Sequence, residues 1–194
     1  MLKGIQLYNP DFAIKCSELN HFSEVYAIMR ANGITKSYVY GMCYQPGPLT
    51  FDFLKCGMSC PSLEEKRGYQ VGERITRQLA WVPGWQGTHV HSNNGADFWF
   101  GIQHFMMVPN GNIPTTFNKN ELTVAVWDVS SRMKLPDISD HDEYRATAWA
   151  EGELVAQYKQ RFGKKPSLNI QDPSKSKYYT SGYTPKSVFN SLFG

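Results

Sequence analysis

A chain of 194 residues with 41% hydrophobic and 14% aromatic side chains suffices for one well-packed domain with an appendage. Charged residues make up 19% and are of mixed sign, which excludes a self-repelling disordered chain. No apolar run approaches the ~20 residues that span a bilayer, so no membrane partner is expected. The start, Met1-Leu2-Lys3-Gly4, lacks the apolar stretch of a secretory signal, and an intracellular, cytoplasmic location is expected.

Cys16, Cys43, Cys56 and Cys60 show no double close pairing of the zinc-ribbon kind, and structural thiols are the expected role. The net charge of +3 is unevenly spread. From Lys159 onward seven positive residues face the single acid Asp172, a net +6, which leaves −3 for the residues before. A basic end on a mildly acidic body suits a polyanion partner.

Residues 1–15 contain Pro10 and little periodicity, and read as an irregular lead-in or a first strand. Over 17–31 the apolar positions Leu19, Phe22, Val25, Tyr26, Ile28 and Met29 recur at threes and fours, which predicts an amphipathic helix. Ser17 is its expected N-cap and Asn32-Gly33 its stop. Residues 37–44 are rich in aromatic and β-branched types and predict a strand. Gln45-Pro46-Gly47-Pro48 is a turn, and 51–57 is the returning strand of a hairpin. Val71, Ile75 and Leu79 carry helical spacing through Trp81, and Pro83-Gly84 ends it. Residues 85–94 read as a loop holding His89 and His91, and 96–108 as an apolar helix broken by Pro109. Residues 122–129 form the clearest strand pattern. A connection over 130–139 leads to a long helix over 140–162, stopped by Gly163. A polar tail rich in Lys and Tyr follows. The expected fold is α+β: a small three-stranded, largely antiparallel sheet flanked by helices.

The chain holds no phosphate-binding P-loop, no dinucleotide fingerprint and no His-Glu-x-x-His zinc motif. Lys55-Cys56-Gly57 ends a strand and leads to a polar segment bearing Arg67, Arg74 and Arg77. The glycine there is expected to let backbone approach a phosphate while the arginines supply charge.

Read together, several short stretches resemble one family. Tyr38-Val39-Tyr40 stands on the first hairpin strand and Lys55-Cys56-Gly57 on the second. Arg74 is on the next helix. Glu151-x-x-Leu154-Val155 lies on the last helix, followed by Pro166-x-x-Asn169. This ordered set resembles the GIY-YIG nucleases over residues 37–170. The resemblance implies an N-terminal helical extension at 1–36, the nuclease domain at 37–170 and a basic aromatic tail at 171–194. It implies a metal-dependent DNA endonuclease of the stand-alone kind encoded by phages or mobile elements, located in the host cell if phage-encoded. No protein partner is implied.

In that resemblance Glu151 corresponds to the ligand for Mg²⁺ or Mn²⁺. Arg74 braces the phosphate as charge develops. Tyr40 accepts a proton or orients water, and Lys55 stands where the family has its second tyrosine, as a base or a phosphate contact. His91 takes the family's histidine position, with His89 and His104 as competitors. Arg67, Arg77, Asn169, Lys175 and Lys177 are expected on the nucleic acid, with Tyr178, Tyr179 and Tyr183 interleaved among the tail lysines. The alternative is a non-catalytic nucleic-acid-binding protein that keeps the fold, with Lys55 marking a degenerate site. A third reading is a structural or assembly protein that neither cuts nor binds DNA.

Overall fold

A computed structural model of the chain describes residues 10–34, 36–47, 50–61, 73–80, 82, 118–133 and 140–166. Within them four strands form one antiparallel sheet: β1 (Phe12–Lys15), β2 (Tyr38–Gly47), β3 (Thr50–Ser59) and β4 (Leu122–Asp128), in the order β1-β4-β2-β3. The helices are α1 (Glu24–Ala31), α2 (Glu73–Leu79), α3 (Val129–Met133) and α4 (Asp140–Phe162). The α+β class is therefore present, but the sheet has four strands rather than three.

The added strand is β1. Its four residues are too few for alternation to stand out, with Ile14 as the one buried position. Pairing makes it a strand: Phe12 lies opposite Val126 and Lys15 opposite Thr123, and the Asp11 N–H extends the ladder to the Val126 carbonyl at 2.9 Å. Of the two readings of residues 1–15, the first strand is the one present at Phe12–Lys15, where it forms a sheet edge, and Ile14, Cys16, Leu19, Val25, Met29 and Ile34 enter the core.

Helix α1 starts seven residues later than its apolar spacing suggests. Ser17, the expected N-cap, sits in a short 3-10 turn at Cys16–Glu18. The helix is entered at His21, whose backbone N–H donates to Glu24 Oε1 at 3.0 Å in the manner of a capping box. Its end is as expected. Gly33 takes φ +79°, and Ile34 N–H reaches the Met29 carbonyl while Gly33 N–H reaches that of Arg30, both at 3.0 Å. Gly163, at φ +69°, closes α4 in a similar way by donating to the Lys159 carbonyl. The expected connection after β4 begins instead as the short helix α3.

Strand alternation divides the core between the two faces. Tyr38, Tyr40, Met42, Tyr44, Val124 and Val126 pack with α1 and with Ile75 and Leu79 of α2. Val39, Cys43, Cys56, Met58, Ala125 and Trp127 pack with Trp149, Leu154 and Tyr158 of α4. All four cysteines are buried and unbridged, in keeping with structural thiols. Among the described residues no helix is long and apolar enough to cross a membrane.

Candidate phosphate site at the sheet edge

The hairpin register fixes the first two members of the site. Tyr40 lies opposite Gly57 and Met42 opposite Lys55. Directly opposed residues share a face, so Tyr40 and Lys55 both belong to the face covered by α2. Between Met42 and Cys43 the register slips, because β3 contains one more residue, Leu54, than β2. A bulge increases local twist, and this one comes immediately before Lys55.

Helix α2 is held to the core by Ile75 and Leu79, four residues apart on one stripe. Arg74 flanks that stripe and is half-buried. Arg77 points outward instead. Its Nε and Nη2 donate to Glu73 Oε1 at 3.0 and 2.8 Å. The structure thus separates two arginines that lie one turn apart, Arg74 toward the core and Arg77 toward solvent.

Glu151 approaches from the other face. Its backbone carbonyl lies 3.9 Å from the Cys56 thiol, which packs beneath α4. Its carboxyl nevertheless feels Arg74 and Lys55 across β3, the edge strand of the described sheet. The polar groups therefore come from both faces of the sheet rather than from one.

Burial governs their protonation. Desolvation pushes the Glu151 carboxyl from 4.5 up to about 7, against the pull of Arg74 and, less strongly, Lys55. Glu151 as a whole is only half-buried, so solvent still reaches part of it. Tyr40 is fully enclosed, and burial pushes its phenol up to about 12. Arg74 opposes that shift, while Glu151 and Cys56 add to it. The Tyr40 hydroxyl meets no partner at hydrogen-bonding geometry, although the Arg74 guanidinium stands close enough to favour its ionised form. At neutral pH Tyr40 is a neutral phenol, so it can donate or orient but is poorly suited to the proton-accepting role considered for it.

Gly57 departs from expectation. Its open side was expected to admit a phosphate. A Cβ built there would overlap the Tyr40 ring and hydroxyl, so the space is already filled from within the protein.

Tyr40, Lys55, Arg74 and Glu151 are thus brought into one electrostatic neighbourhood. His91, Arg67, Asn169, Lys175 and Lys177 lie outside the described residues, as do His89 and His104. Among the described residues no three or more His, Cys, Asp or Glu side chains cluster to hold a metal. No protein-family model, no curated protein and no solved structure matches this chain.

Proposed function

We propose that this protein is a metal-dependent DNA endonuclease that hydrolyses phosphodiester bonds. The observation that supports the reading is the meeting of Tyr40, Lys55, Arg74 and Glu151, drawn from two strands and two helices, at one edge of the sheet. Two cations beside a carboxylate poised near neutrality suit a phosphodiester. Arg74 braces the non-bridging oxygens, with its planar fork matched to them. Lys55 adds a second positive contact. Tyr40, as a neutral phenol, offers a hydrogen bond to an oxygen at the site or orients Arg74.

The donor set fits one Mg²⁺ or Mn²⁺. Mg²⁺ is commonly held by one or two carboxylates, with waters and substrate phosphate completing its shell, and half-buried Glu151 supplies one. Such an ion would lower the pKa of bound water and polarise the phosphate. The basic tail would hold the backbone of the DNA.

Nicking of supercoiled plasmid tests the proposal. Cleavage is expected with Mg²⁺ or Mn²⁺ and lost in EDTA, and its absence with either metal overturns the enzymatic reading. One observation favours the non-catalytic alternative: the Tyr40 hydroxyl is closed off from solvent. That alternative predicts DNA binding that weakens steeply with salt and no metal-stimulated cutting.

A further inference from the structure

Tyr40 leans over the residue opposite it. Its ring lies across Gly57 on β3, and a Cβ on Gly57 would meet the hydroxyl, the carbon that bears it and, at 2.8 Å, the adjoining ring carbon. Strands are ~4.8 Å apart, so a phenol leaning toward its neighbour lays its hydroxyl over that neighbour's backbone. Here that neighbour is the edge strand β3, and over Gly57 the hydroxyl is within the electrostatic reach of Arg74 and Glu151. Any side chain at position 57 would turn the ring away from that strand.

We infer that Gly57 is a positioning residue, whose missing side chain forms the slot in which Tyr40 lays its hydroxyl over β3, within the electrostatic reach of Arg74 and Glu151. Its contribution to cutting rests on the nuclease reading, whereas the slot itself does not. Gly57 is then set by the phenol opposite it and not by a bound phosphate. The same geometry accounts for the enclosed hydroxyl. A group that must lie between the strand and the helix cannot also face open solvent.

The experiment is a double-mutant cycle of Gly57→Ala and Tyr40→Ala, read by urea unfolding and by ¹³Cζ-tyrosine NMR, with the Tyr40 signal assigned by its loss in Tyr40→Phe. Gly57→Ala is expected to lower the unfolding midpoint strongly when Tyr40 is present and little in the Tyr40→Ala background. In Gly57→Ala the displaced phenol should titrate closer to the ordinary 10 than to about 12. If Gly57→Ala fails to fold, recovery of folding in Gly57→Ala/Tyr40→Ala supports the slot equally. Equal cost of Gly57→Ala in both backgrounds, or an unmoved Tyr40 signal, overturns it. Plasmid nicking is scored separately. Gly57→Ala should cut about 100-fold more slowly, as a misplaced group of this kind does. A wild type that never cuts, combined with a coupled cycle, removes the nuclease reading and leaves the slot standing.

Discussion

Two polar clusters lie only two residues apart along the strands of this sheet, and they are built on opposite principles. At the C-terminal end of β4, Asp128 is buried and its needs are met. Its carboxylate accepts from the Ser131 N–H at 3.1 Å and from the Ser131 hydroxyl, and its own N–H donates to Asp11 Oδ2 at 2.6 Å. Nearby, the Ser37 carbonyl accepts from Val129 N–H and Ser130 N–H. At the edge of β3 the pattern reverses. A phenol is sealed from solvent with the Arg74 guanidinium beside it, and a carboxyl is pushed toward neutrality by burial. Satisfied polar groups lock a turn, while poorly satisfied ones cost stability and persist where something else selects them.

The largest effect should separate the clusters by activity. Arg74→Ala and Glu151→Ala are each expected to slow plasmid nicking by about 10²–10³-fold, in the range seen for a lost transition-state donor. Asp128→Ala should leave the rate per folded molecule near that of the wild type. A rate lost equally in all three variants would erase the distinction.

The second contrast is in pH. The Glu151 carboxyl is raised in the folded protein from 4.5 to about 7, so the native state holds more protons than the unfolded one across that window. Stability of the metal-free protein should fall as pH rises from about 4.5 to 7 and stay lower above it. Glu151→Gln removes the ionisation. It should match the wild type near pH 4 and exceed it at pH 8 by on the order of 2 kcal/mol, allowing for the residue's partial exposure. Urea unfolding at the two pH values checks this. Identical differences at both would mean that Glu151 is not desolvated.

Asp128→Ala provides the opposite sign. Removing the group that caps α3 and binds the Ser131 hydroxyl should cost about 1–2 kcal/mol. The loss should appear as a lower urea midpoint with an unchanged slope.

These clusters differ as well in how far the sequence disclosed them. The helix stops at Gly33 and Gly163 and the strand at β4 follow from local chemistry, and local chemistry is what a sequence carries. The four candidate residues on β2, β3, α2 and α4 were picked out as an ordered set, because each sits at a recognisable place in its own element. Their mutual electrostatic reach was not, since it depends on how α2 and α4 flank opposite faces. Strand β1 stayed one of two readings, lead-in or first strand, because four residues show no clear alternation and pairing with β4 defines it. The pairing of Tyr40 with the Lys55–Gly57 stretch was expected from the hairpin, but the one-residue bulge at Leu54, which sets the exact register, was not readable from spacing. The choice of Arg74 over Arg77 came from the helical pattern around it, and the burial of Ile75 and Leu79 gives the orientation of that helix.

That choice gives the smallest and sharpest test. Arg77 has 52% of its side chain exposed, and its tie to Glu73 is an i,i+4 surface pair worth about 0.3–0.5 kcal/mol. Arg77→Ala should therefore barely change the unfolding midpoint. Its expected effect is on DNA affinity, with the slope of log K against log salt reduced by about one phosphate contact. Cutting at saturating DNA should persist, in contrast to Arg74→Ala. Glu73→Ala sharpens the point from the other side. It frees Arg77 from its carboxylate partner, so DNA binding should tighten slightly while the maximal rate stays the same. Were Arg77→Ala instead to abolish cutting at saturation, the phosphate brace would belong to the outward arginine, and half-buried Arg74 would be only the counter-charge that Glu151 requires.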